Sequence, residues 1–147
     1  MDRNFAGKNA AGRNAAFRIS GVVLGVALAF GVGVAVGQNA PTENKGVKVG
    51  PPTAIALADQ IEGLEGRQLR LRVITVEPGG IASVHSHKGR PAVAYIVQGT
   101  LTEHREGSDA KDHPTGDTIV EDKDTVHWAE NKGSEPVIVV AVDVFKP

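Results

Sequence analysis

There is no cysteine in the 147 residues of this chain. That removes disulfides, thiolate ligands and a cysteine nucleophile together, so any metal must be held by nitrogen and oxygen donors. Excess charge is missing as well, the formal net charge being −1. From Gln38 onward 12 Lys and Arg face 16 Asp and Glu. This part is mildly acidic, offers no basic stripe to neutralise phosphates, and excludes nucleic acid as a partner. Aromatics are scarce, with one Trp and one Tyr. Trp128 and Tyr95 read as packing residues, since neither shares the strand face of the histidines described below. No internal repeat or low-complexity segment is found in the region beyond the linker.

What is present divides the chain into an appendage and one domain. Residues 1–18 carry Arg3, Lys8, Arg13 and Arg18 against Asp2 alone and have no periodic apolar face. Ile19 to Gly37 then runs for 19 residues without a charge. The run has the length of a short membrane-spanning helix and exceeds a typical signal-peptide core, while Ala35-Val36-Gly37 offers the small residues a signal peptidase reads. A cleaved signal peptide and an uncleaved transmembrane anchor both fit. Either places the basic side in the cytoplasm and exports the remainder to the periplasm, tethered to the inner membrane if uncleaved. Residues 38–52, rich in Pro, Gly and polar side chains, read as a linker. The folded domain is expected from Thr53 to Pro147.

That domain shows short strands with turn signals between them, the pattern of an all-β sandwich or barrel. Alternation over 69–75 ends at Glu77-Pro78-Gly79-Gly80, a turn, and strands follow over 81–86 and 92–98. Gln98-Gly99 reads as a tight hairpin turn returning through 100–105. A polar loop over 106–115 precedes strands at 116–120, 125–130 and 136–145, and 55–64 is either a strand and turn or a short helix. Glu121-Asp122-Lys123-Asp124 reads as a solvated turn, and Asn131 as tying down the turn after its strand.

The chemistry sits on histidine. In a strand, residues two apart share a face, so His85 and His87 project together while Ser86 points away. His127, from a distant strand, supplies a third imidazole. Three neutral imidazoles form one face of a coordination polyhedron and leave positions open for water or substrate, as in a catalytic rather than a closed structural site. His104 and His113 have no companion at ligand spacing and read as surface or loop residues.

These residues resemble the cupin family. Gly79, His85, His87 and Gly99 match its first motif, with Ala92 at the glutamate position; Gly116, His127 and Asn131 match the second, with Asp122 and Asp124 where Pro and Gly usually stand. The resemblance spans about Leu69 to Phe145. It implies a single jelly-roll β-barrel, here preceded by the hydrophobic signal or anchor helix, and a divalent transition metal (Fe, Mn, Zn, Ni or Cu) on His85, His87 and His127. Pairing of two barrels into a homodimer is a further implication. With Ala92 the ligand set becomes neutral, similar to that of cupin-like dioxygenases that hold iron on three histidines, and favours anionic, chelating substrates. A replacement acid from a neighbouring strand is the alternative.

If the 98–99 hairpin forms, Ala94 faces Glu103 and Ala92 faces Arg105, which turns both charged residues inward. Glu103 is then the candidate ligand or general acid/base, and Arg105 the candidate fork for a substrate carboxylate. A slip of one residue would put both in solvent and His104 inside. Function reads as a metal-dependent enzyme, oxygenase-like or hydrolytic on a small chelating molecule. The alternatives are a binding module of the cell envelope that captures a small ligand or metal without turnover, and a dimerisation scaffold.

Overall fold

A computed structural model describes residues 40–147. The basic segment 1–18 and the apolar run 19–37 lie outside the described residues. Among the described residues there is no helix, and none therefore long and apolar enough to cross a membrane. The stretch over 55–64 resolves into a strand followed by turns.

Nine strands are formed: β1 (Lys45–Val49), β2 (Thr53–Ala56), β3 (Gln68–Ser86), β4 (Ala92–Gln98), β5 (Thr100–Arg105), β6 (Lys111–Pro114), β7 (Thr118–Glu121), β8 (Val126–Glu130) and β9 (Val137–Phe145). The order is β6-β5-β8-β3-β9-β4-β7, with β1 and β2 also paired to β3. The arrangement is an all-β, barrel-like jelly roll.

Strand β3 organises it. Its first half pairs with β9 from Gln68↔Phe145 to Val76↔Val137, and its second half pairs with β8, including His85↔His127. The Glu77-Pro78-Gly79-Gly80 stretch, expected to end a strand, instead bends one long strand from its pairing with β9 into its pairing with β8. Gly80 allows the corner, because a Cβ there would lie 2.7 Å from the Glu77 carbonyl oxygen and 2.9 Å from Val76 Cγ1. A side chain at that point would collide with backbone.

Two expectations are corrected here. Residues 38–52 are not all linker, because Lys45–Val49 pairs with β3 and Val84 N–H donates to the Pro41 carbonyl at 2.8 Å. Pro and Gly composition hid a strand whose partner lies some thirty residues away. The 98–99 turn does not make a hairpin. Although Gly99 adopts φ +81° as expected, β4 pairs with β7 and β9, and β5 pairs with β6 and β8. The turn carries the chain to a distant position in the strand order, so Ala92 faces Glu121 and Asp143 rather than Arg105.

The inward faces form the core: Val76, Ala94, Ile96, Leu101, Ile119, Ala129, Val137, Val139 and Ala141. A fully buried aliphatic side chain such as Ile96 contributes about 1.5–3 kcal/mol over exposure. Asn131 closes the corner from below, its Nδ2 donating to the Val76 carbonyl at 2.9 Å and to the Glu135 carbonyl at 2.8 Å. Its Oδ1 accepts from Gly133 N–H at 2.9 Å.

Candidate metal centre

The register His85↔His127 brings β3 and β8 side by side at the point where their imidazoles enter the barrel. His127 Nε2 lies 3.1 Å from both His85 Nε2 and His87 Nε2. The three candidate ligand atoms fall within 4.8 Å of one another. At a metal–nitrogen distance of about 2.1 Å, a 3.1 Å edge subtends about 95° at the ion. That is nearer to adjacent positions of an octahedron than to tetrahedral spacing.

What surrounds the rings decides how they present themselves. His85 Nδ1 lies 2.7 Å from the Ser83 carbonyl, His87 Nδ1 3.2 Å from the Arg90 carbonyl, and His127 Nδ1 2.5 Å from Glu103 Oε1. Each of these partners only accepts, so each Nδ1 carries the proton and donates. In the neutral rings all three Nε2 atoms are then left with lone pairs turned toward one another. Burial pushes the pKa of His85 down and that of His87 down to about 4, with the other nearby cations acting the same way. The rings of His85 and His87 are held neutral, with their Nε2 lone pairs facing the cluster. A cation between them answers that arrangement, so the donor set fits a divalent metal.

Glu103 is buried and inward, as expected, for a different reason. It faces Ala129 and Lys111 across β8 and β6, not Ala94. Its contact with His127 is on Nδ1, the side of the ring away from the nitrogen cluster. Oε1 also accepts from Arg105 Nε at 2.9 Å, and Oε2 lies 3.2 Å from His113 Nε2. Burial raises its pKa, but the His127 and Arg105 bonds outweigh that and hold it at about 2. Arg105 is committed to Glu103 and to the Val120 carbonyl, at 2.8 Å, and is not among the residues lining the histidine cavity. His113, read as a surface or loop residue, is buried between Glu103 and Asp117. His104 stacks on Trp128 with centroids 3.7 Å apart and bonds Glu130.

Glu121 was hidden in the charge run read as a solvated turn. It ends β7, is 8% exposed, and stands directly across from Ala92. Its Oε1 lies 3.5 Å from His127 Nε2 and its Oε2 3.5 Å from His87 Nδ1. Burial raises its pKa, with Glu103 adding to the effect and His127 opposing it. The alternation of Ile119 and Glu121 on one face was the available signal. The cavity around these groups measures about 250 Å³ and is lined by the three histidines, Glu103, Glu121, Arg72 and Arg90 beside aliphatic side chains.

An all-β roll with converging histidines defines a class before any comparison. The family model described as "Cupin domain" matches residues 72–144. The chain belongs to the cupin family. Among curated proteins it is 33% identical over 87 residues to auxin-binding protein ABP19b of Prunus persica, covering 56% of this chain and 42% of that one. The chain thus spans under half the length of that relative. Among solved structures, a predicted oxalate decarboxylase of Thermotoga maritima is 21% identical with a TM-score of 0.52, covering 74% of this chain and 95% of that one. The Cupin_2 domain of an XRE family transcriptional regulator from Enterobacter cloacae is 15% identical with a TM-score of 0.53, covering 70% and 100%. These two likenesses are of fold, and they join an enzyme description to a regulatory one.

Proposed function

We propose that the cavity is a mononuclear divalent-metal centre held by His85, His87 and His127, with Glu121 supplying the carboxylate that the family pattern places at Ala92. The observation that carries this reading is the set of three Nδ1 donors, each fixed by an acceptor, which leaves three Nε2 lone pairs converging in a buried cavity. A bound Fe, Mn, Zn, Ni or Cu ion would supply Lewis acidity and an open position for a small chelating molecule. Around it the chain's own residues orient and exclude. Glu103 holds the His127 ring in place, aliphatic walls keep bulk water out, and Glu121 sits where it can take or hold a proton.

In this reading the domain works on the exported side, carried there by residues 1–37. Capture of a small molecule without turnover is a second reading, favoured by one observation: Glu103, the acid/base candidate legible in the sequence, is engaged through Oε1 by His127 and Arg105 and lies with Oε2 against His113. The Prunus persica relative is also named for binding.

One experiment tests the metal and the location. The full chain is expressed and fractionated into cytoplasmic, membrane and exported material, and metal is measured by mass spectrometry after purification without chelator, beside a His85→Ala/His127→Ala variant. The expected result is near-stoichiometric metal in membrane or exported protein and its loss in the folded variant. A folded wild-type protein that stays empty after incubation with all five metals would refute the centre, and cytoplasmic protein alone would refute the location.

A further inference from the structure

Three guanidiniums share one carboxylate at the rim of this cavity. Asp143, with a fully buried side chain, accepts from Arg70 at 3.0 and 2.7 Å, from Arg72 at 3.1 Å and from Arg90 at 3.3 Å. The register explains the gathering: Arg70 faces Asp143 across β3 and β9, while Ala92, facing it from β4, leaves room for the arginines. One negative charge against three positive ones leaves the cluster two charges in excess.

Arg70 is otherwise engaged, with its guanidinium carbon 3.7 Å from the centre of the Phe145 ring. Arg72 and Arg90 are not. Both line the cavity that holds the histidines, and each makes one side-chain hydrogen bond among the described residues, to Asp143. Arg72 Nε is buried and finds no partner among them. A buried, unsatisfied donor on a charged group is costly, and a guanidinium has five N–H donors to satisfy. Glu121 makes its ion contacts with His87 and His127 and acts on Arg72 and Arg90 only through space, so it offsets part of their charge and satisfies none of their N–H donors. Burial lowers the Arg72 pKa, and the charges of Arg70 and Arg90 push it the same way.

The remainder of the lining is aliphatic, including Val47, Ile74, Leu101, Ile119 and Val139. At about 250 Å³ the cavity lies below the range of drug-sized pockets. With the histidine cluster and its two glutamates on one side, a cationic fork on another and aliphatic wall between them, the cavity matches a small molecule with an anionic head and a short apolar body. Of planar and tetrahedral anions, the carboxylate suits the limited space and the apolar wall.

We propose that Arg72 and Arg90 form a carboxylate-recognition subsite beside the metal centre, so that the molecule this site takes is a small monocarboxylate carrying an aliphatic chain or a single ring. The inference names the ligand class of the cavity described above and rests on that reading of it. Arg105, the carboxylate fork expected from the sequence, does not line this cavity, whereas Arg72 and Arg90 do.

The test is isothermal titration of the metal-loaded full chain with two matched pairs, benzoate against benzamide and hexanoate against hexanamide, and with inorganic phosphate. Carboxylates are expected to bind and the uncharged amides not. Arg72→Met and Arg90→Met are expected to weaken carboxylate binding at least about tenfold, the order of one lost charge-assisted hydrogen bond. Arg72→Lys, which keeps the charge but not the fork and disturbs Asp143 less, is expected to fall between. Metal content and thermal melting are measured on each variant. Amides binding as well as acids, phosphate binding more tightly than benzoate, or unchanged affinity in folded, metal-loaded arginine variants would each overturn the subsite while leaving the metal centre standing. Arginine-dependent carboxylate binding by a wild-type chain that takes up no metal would uphold the subsite and refute the centre.

Discussion

His127 shows at the scale of one residue how neighbours set which nitrogen of an imidazole is free to bind. Glu103 takes the Nδ1 proton's hydrogen bond, which selects the tautomer and raises the basicity of Nε2. Arg105 donates to the same oxygen and His113 lies 3.2 Å from the other, which holds Glu103 on the Nδ1 side of the ring. Glu103→Gln keeps an acceptor for Nδ1 but removes the charge and places two N–H donors in a site already full of donors. The expected effect is metal affinity weaker by about 10–100-fold, measured by competition with a chromogenic chelator at fixed pH. Affinity within twofold of wild type would remove Glu103 from this role. That Glu103 points inward was legible from alternation along 100–105. That it serves His127 rather than the ion was not, because it depends on β5 pairing with β8 instead of β4.

At the scale of elements, the long β3 joins β8 to β9, and Asp143 on β9 is the charged centre of the β3–β9 seam. Arg70 and Arg72 reach it from β3, and Arg90 from the loop leading into β4. Burial works to raise the Asp143 pKa, but the Arg70 bonds and the charges of Arg72 and Arg70 overcome it and leave it below the ordinary aspartate value. A carboxyl depressed on folding contributes stability that is fully present above the unfolded-state pKa of about 3.9 and is lost as pH falls through the folded value. Asp143→Asn is therefore expected to lower unfolding stability by about 3 kcal/mol near neutral pH, the order for breaking one side of a buried ion pair. Urea denaturation at pH 7, 5, 4 and 3 checks this. The gap between wild type and variant should hold down to about pH 4 and close below it; a gap independent of pH would show that packing, not charge, is what the aspartate contributes.

Over the whole molecule, one outer face is unusually apolar. Val120, Val93, Val142, Leu71 and Thr53 follow one another across β7, β4, β9, β3 and β2 by direct pairing, and Tyr95, Val140 and Val73 form the next row. Val120 is 65% exposed, Val93 51% and Tyr95 47%, so Tyr95, expected to pack in the core, lies on the outside. Exposed aliphatic rows of this extent mark interaction surfaces in soluble proteins. We propose that two copies pair through this face, in line with the homodimer the family resemblance implies. Light scattering on the wild-type domain should give twice the chain mass, and Val93→Glu/Val120→Glu should give one chain mass with metal content unchanged. A monomeric wild type at all concentrations would exclude the pairing.

Local chemistry alone determined that this chain builds an all-β domain, that His85 and His87 share a face, and that no thiolate enters the site. Period-two alternation and turn residues are properties of a few consecutive amino acids, and they are visible wherever both faces of a strand have different surroundings. Tertiary structure decided the rest. Whether 77–80 ends a strand or bends it, whether 98–99 closes a hairpin or sends β5 to other partners, and which acid stands opposite Ala92 all depend on pairing partners distant in the chain. Glu121, Arg72, Arg90 and Asp143 look like ordinary surface charges in sequence, because a strand's own pattern says which residues share a face but not what stands opposite them. Here what stands opposite is a buried set of lone pairs and guanidiniums, and that juxtaposition carries the function proposed for the protein.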